Sequence, residues 1–131
     1  MKTIKKKMML MLLCCLLVVT SYAQGQMEEI STGIRSGNVS LISKYFDNVV
    51  DITVNNGQST FSHSQAEMVL KNFFKKSQVS EFNIIENGVS NGNGSAYTVG
   101  ELVTKNDRYK VYISIRQKDK SYAIQEMRFE K

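Results

Sequence analysis

The chain has 131 residues, with 17 Lys or Arg, 12 Asp or Glu, one His, two Cys and no Pro, for a formal charge of +5. That length suits one domain with a single core, and two cysteines exclude a disulfide framework. The basic excess does not mark a nucleic-acid binder: four basic residues crowd the first seven positions, and from residue 24 onward 13 basic residues face 12 acidic ones with no basic stripe.

Residues 1–23 read as a cleaved signal peptide. Lys2, Lys5, Lys6 and Lys7 are its positive start, Met8 to Val19 its uncharged apolar run, and Ser21 and Ala23 the small residues before the cut. An apolar run of about 12 residues at ~1.5 Å rise spans ~18 Å, short of a ~30 Å hydrocarbon core, which argues against a membrane anchor. Leu13 before Cys14 lacks the small side chain that a lipid-modified cysteine needs, so Cys14 and Cys15 are apolar filler. Residues 24–131 are then one cysteine-free domain, exported to the periplasm or secreted, with no membrane contact after cleavage.

Met27, Ile30 and Ile34 share one helical face, predicting a helix over Gln26 to Ser36 that Gly37 stops. Asn38 is a candidate N-cap for a short helix through Leu41, Ile42 and Tyr45. Asn48 to Val54 alternates, with Val50, Ile52 and Val54 on the core face and Val49, Asp51 and Thr53 on the other. Asn55-Asn56-Gly57 signals a turn into a return strand over Ser59 to Ser62. Ser64-Gln65-Ala66-Glu67 reads as a capping box opening a helix with an Ala66, Val69, Leu70, Phe73, Phe74 stripe. Four strands follow, near 80–88, 95–104, 108–117 and 122–130. Two helices, two strands, a helix and a strand meander make an α+β fold with a mixed or antiparallel sheet.

Little of this carries recognisable chemistry. The glycines between Asn87 and Ser95 lead into a strand, not into a helix as a phosphate loop requires. Within residues 24–131 His63 has no second His or Cys to share a metal with, so neither metal nor cofactor is expected. Gly88-Val89-Ser90-Asn91-Gly92 has the Gly-x-Ser-x-Gly spacing, but a strand follows it and not the helix that a nucleophile elbow requires. Asn38-Val39-Ser40 and Asn93-Gly94-Ser95 match the glycosylation sequon but carry little weight.

Hairpins with tips at Asn106-Asp107 and Asp119-Lys120 sort the last strands into two faces. One holds Thr98, Gly100, Leu102, Tyr109, Val111, Ile113, Ile115, Ile124, Glu126 and Arg128; the other holds Tyr97, Val99, Val103, Tyr112, Met127 and Phe129 beside Glu101 and Lys110. The first should pack on the helices, with Gly100 leaving space and Glu126 and Arg128 paired inside. A one-residue shift of the last strand would exchange Glu126 and Arg128 for Met127 and Phe129.

The element order resembles the nuclear-transport-factor-2-like superfamily, a curved sheet wrapped around helices in a cone. The stretches Lys44-Tyr45-Phe46-Asp47, Gln65 to Phe74, Tyr109 to Ile113 and Ile124 to Glu130 are similar to a family of small exported proteins of unknown function from Bacteroidota. The resemblance implies the fold and no activity, because that superfamily hosts both enzymes and binders.

The expected function is a non-catalytic ligand- or protein-binding module. Thr98, Tyr109, Glu126 and Arg128 are the pocket candidates for a small polar ligand, and Tyr97, Val99, Val103, Tyr112, Met127 and Phe129 the partner face. A homodimer is the first partner expected and an envelope protein the second. The alternatives are an envelope scaffolding factor, or a small isomerase, dehydratase or hydrolase with Glu126 as acid/base helped by Arg128 or Tyr109.

Overall fold

Helical stripes of Ile and alternating strands of Val, Ile and Tyr can bury their apolar sides only against each other, and that pairing builds the molecule. The computed structural model describes residues 2–89, 94–119 and 121–131. Three helices, α1 (Lys2–Ser36), α2 (Val39–Ser43) and α3 (His63–Lys76), pack on one face of a curved sheet of β1 (Phe46–Val54), β2 (Gly57–Ser62), β3 (Val79–Val89), β4 (Ser95–Thr104), β5 (Arg108–Lys118) and β6 (Ser121–Glu130). The strand order is β2-β1-β6-β5-β4-β3, antiparallel except where β1 runs parallel to β6. Among the described residues no helix is long and apolar enough to cross a membrane.

The helix expected from Gln26 is the end of α1, which runs from Lys2 as one helix. Ile30 and Ile34 are buried in the core, whereas Ile4, Met8, Met9 and Met11 are 67–76% exposed. The side chains of Cys14, Cys15, Ser21 and Ala23 lie outside the described residues. Polar contacts tie the inner part of α1 down. Glu29 accepts from the Lys44 ammonium and the Tyr45 hydroxyl, and Gln26 Oε1 accepts the Tyr122 backbone N–H at 3.2 Å. The Lys44 contact holds the Glu29 carboxyl below its ordinary range, while burial and Glu29 raise the Tyr45 phenol. Gly37 ends α1 with φ +67, a conformation glycine adopts without strain.

Asn38 stands at the N-cap of α2, but its side chain makes no capping bond. Asn55 and Asn56 take φ 48 and 70, the left-handed pair of a tight hairpin. The capping box of α3 sits two residues earlier than the sequence suggests. Ser62 accepts from the Gln65 N–H at 3.4 Å, and Gln65 Oε1 accepts from the Ser62 N–H at 3.2 Å. Ser62 ends β2 in extended conformation, the geometry an N-cap needs, and Ser62-x-x-Gln65 fits the box as well as Ser64-x-x-Glu67 does. His63 is therefore the first helical residue, exposed, with its ring edge-on to that of Phe46, centroids 5.8 Å apart.

The four C-terminal strands fall within two residues of their predicted limits. The β4–β5 turn has Lys105-Asn106 at its tip, with Thr104 N–H to Asp107 O at 2.8 Å, in place of Asn106-Asp107. That shifts the partners by two residues and keeps every side chain on its predicted face. In the β5–β6 turn Lys118 faces Ser121 as predicted, with Lys120 outside the described residues.

Beyond that turn β6 departs from the prediction. Ile115 faces Ile124, but Ser114 faces Glu126, so Gln125 is an extra residue. This β-bulge reverses the rest of the strand. Met127 and Phe129, expected outside, are fully buried, and Glu126 and Arg128, expected inside, lie on the outer face. Two causes converge. Burying two aliphatic or aromatic side chains is worth roughly 1.5–3 kcal/mol each, whereas two charges inside a cone would need complete pairing. The displaced Gln125 side chain also finds a partner: Asp47 Oδ2 at 3.5 Å, beside Lys118 Nζ at 2.6 Å from Oδ1 and the Asn48 N–H at 2.7 Å. Lys118 above all holds the Asp47 carboxyl below its usual range.

The cone is consequently filled. Phe129 packs on Phe73, ring centroids 4.6 Å apart, and Phe73 meets Tyr109 edge-on at 5.3 Å. The space expected beside Gly100 is taken by Phe82, whose ring would lie 2.5 Å from an added Cβ.

Candidate functional site

The reversal of β6 gathers on the outer face a set of side chains that no single stretch of sequence contains. Tyr97 on β4 leans over β3 at Gly88, where an added Cβ would collide with the ring. Its hydroxyl donates to Glu86 Oε1 at 2.9 Å, and that bond to a carboxylate raises the phenol above its ordinary range. Tyr112 on β5 lies nearly parallel to Tyr97, with centroids 6.0 Å apart and planes at 21°. Arg128 on β6 places its guanidinium 4.2 Å over the Tyr112 ring. Glu86, Tyr97, Tyr112 and Arg128 thus form one stack across β3, β4, β5 and β6.

Around the stack the charges are mixed. Arg128 Nε lies 3.6 Å from Glu126 Oε1, an ion pair beyond hydrogen-bond reach, so this buried N–H has no hydrogen-bond partner. Glu126 faces Asp51 across β6 and β1, and Asp51 accepts from Thr60 at 2.6 Å. Thr53, beside Arg128 in register, is buried with an unpartnered hydroxyl. Glu101 accepts from Arg108 at 2.5 Å and faces Lys110.

Of the predicted pocket residues, only Glu126 and Arg128 come together, and they do so outside. Thr98 is buried on the inner face with its hydroxyl bonded to Asn87 Oδ1 at 2.7 Å, and Tyr109 is buried against Phe73. Glu126 and Tyr109 therefore lie on opposite faces of the sheet, which separates the acid/base from its proposed helper. Of the predicted partner face, Tyr97, Val99, Val103 and Tyr112 are half-buried on the outer side, and Met127 and Phe129 belong to the core.

Sequence reasoning missed Glu86 and Gly88 as members of this face, while it placed Asp51 on the side of β1 away from the core, where the structure has it. A glycine inside an apolar strand was the available signal for Gly88, since it often marks a close approach. The bulge also had a signal. Ile124 and Met127 stand three apart in a period-two strand and can share a face only if one residue between them is extra.

Chemically the face offers stacking surfaces, a guanidinium, and carboxylates half in contact with solvent. Among the described residues no group of three His, Cys, Asp or Glu side chains could hold a metal ion.

Residues 27–130 match the model of a family described as a domain of unknown function, DUF4783. A DUF4783 family protein from Bacteroides uniformis is 26% identical, with a TM-score of 0.75 over 79% of this chain and 94% of that one. One from Bacteroides ovatus is 24% identical, with a TM-score of 0.75 over 79% and 92%. A nuclear-transport-factor-2-like protein of unknown function from Shewanella baltica shares the fold at 10% identity, with a TM-score of 0.65 over 85% and 91%. No curated protein matches the chain.

Proposed function

The chain belongs to the DUF4783 family, and we propose that it is an exported, non-catalytic binding module whose outer sheet face docks a second copy of itself. One observation carries this reading. The inner face is filled, with Val111, Ile113, Met127 and Phe129 at 0% exposure, while Tyr97, Val99, Tyr112 and Arg128 stand on the face away from the helices.

Tyr and Arg are the side chains that most often dominate protein interfaces, since each adds a large contact area with a polar end. A two-fold contact also needs a surface complementary to itself. This face supplies both signs of charge, Glu86, Glu101 and Glu126 against Arg108, Lys110 and Arg128, around a central aromatic stack. Export is supported by the charged, apolar and small segments of residues 1–23, and by the exposure of Ile4, Met8, Met9 and Met11, apolar side chains that the domain does not cover.

Analytical ultracentrifugation of the protein, purified as the cell processes it, tests the dimer. The expected result is a dimer that Val99→Lys or Arg128→Glu converts to a folded monomer. A wild type that stays monomeric at its highest soluble concentration, or a dimer indifferent to both substitutions, overturns the reading.

A further inference from the structure

Two hollows adjoin where α3 ends and β3 begins. The larger, about 540 Å³, lies between the α1–α2 corner and the second half of α3; the smaller, about 180 Å³, lies under the β4–β5 turn. They share Lys75 and Gln78 and so form one trough open to solvent. Four lysines line it: Lys71, Lys75, Lys76 and Lys105.

The trough is short of counter-charge. Its one lining carboxylate, Asp107, is engaged by Lys131 at 3.2 Å. Lys71 is met by Glu67 at 3.3 Å. Among the described residues no ion pair involves Lys75, Lys76 or Lys105. Lys75 and Lys76 also offset the C-terminal dipole of α3, but Lys105 comes from a different element and has no such reason to be there. Three uncompensated ammonium groups around one concavity, in a chain whose residues from 24 onward hold 13 basic against 12 acidic side chains, repel one another and focus a positive potential into it.

Uncharged donors stand beside them. The Asn38 carboxamide is free of the capping role its position invites, and Ser40 and Gln78 add a hydroxyl and a second carboxamide. Phe74, half-buried, forms an apolar wall. A hollow of this size accommodates a small molecule.

We infer that this trough binds a small soluble anion carrying two or more phosphate groups. The choice of phosphate follows from the cations. All four are lysines, compact point charges that serve phosphate oxygens arriving from several directions, and the trough has none of the planar guanidinium forks that match a carboxylate. Two or more groups are needed because the ammonium side chains come from both sides of the trough, α3 on one and the β4–β5 turn on the other.

The test is titration calorimetry of the processed protein with inorganic tripolyphosphate at low salt. Tripolyphosphate should bind, and the Lys75→Gln, Lys105→Gln double variant should bind about tenfold more weakly, as expected from losing two exposed charge contacts. Arg116→Gln, at an exposed cation near the end of β5 opposite the β4–β5 turn, should bind as the wild type does. Absence of binding, or an equal loss with Arg116→Gln, overturns the inference. A second arm offers vesicles of phosphatidylglycerol in phosphatidylcholine. Capture by vesicles through Lys75 and Lys105 without any affinity for tripolyphosphate would make the ligand a lipid headgroup and overturn the soluble anion.

Discussion

Replacing Phe129 by alanine measures whether the bulge at Gln125 sets the face of the last strand. Phe129 is fully buried, with its ring 4.6 Å from that of Phe73 and 6.3 Å from that of Phe74. Removing about 150 Å² of buried ring at ~25 cal/mol per Å² costs about 4 kcal/mol, within the ~3–5 kcal/mol typical of core Phe→Ala changes. Against a total stability of about 5–15 kcal/mol that is a large fraction, equivalent to a melting-point loss of roughly 15 °C for a domain of this size. The neighbouring Arg128→Ala removes a guanidinium over the half-buried Tyr112 ring and a loose ion pair, about 1 kcal/mol together. Urea unfolding of both variants compares the midpoints at constant slope. Equal losses, or a larger loss for Arg128→Ala, would refute the assignment of Phe129 to the core and Arg128 to the outer face.

Ser62→Ala should lower stability by about 1 kcal/mol while Ser64→Ala stays within ~0.5 kcal/mol, because Ser62 holds the cap of α3; thermal melts that rank them the other way would restore the later box. Gly100→Ala should cost about 1–3 kcal/mol through collision with Phe82, and Phe82→Leu in the same chain should recover part of it; a neutral Gly100→Ala would show an unfilled interior. Asp47 should make stability acid-sensitive. Its folded pKa is depressed, so its contribution is complete above the unfolded value of about 3.9 and is lost as pH falls through the folded value. Urea midpoints of the wild type and Lys118→Met should therefore differ by a constant amount from neutrality to about pH 4 and converge below it; a gap unchanged at about pH 2 would refute the pairing.

Residues close in the chain were legible. The alternation of Val50, Ile52 and Val54, the Asn55-Asn56-Gly57 turn, the Ala66, Leu70, Phe73 stripe and the strands up to Ile124 follow from spacings of two or of three to four residues, which act within a few residues and survive any packing. Even the wrong tip of the β4–β5 turn did no harm, since a shift of two preserves the side of every residue. Glu126 and Arg128 were misplaced because a single extra residue reverses a strand. Whether Gln125 bulges depends on the advantage of Met127 and Phe129 over Glu126 and Arg128 as core residues, on the space Phe82 had already taken, and on Asp47, 78 positions away, to receive the Gln125 side chain. The lysine trough has the same origin: Lys75 and Lys105 become neighbours only when α3 and the β4–β5 turn meet. Local periodicity alone determined the elements and most of their faces. The face of the last strand and the two candidate surfaces were decided by tertiary packing, because they rest on contacts between distant residues whose energies no local pattern encodes.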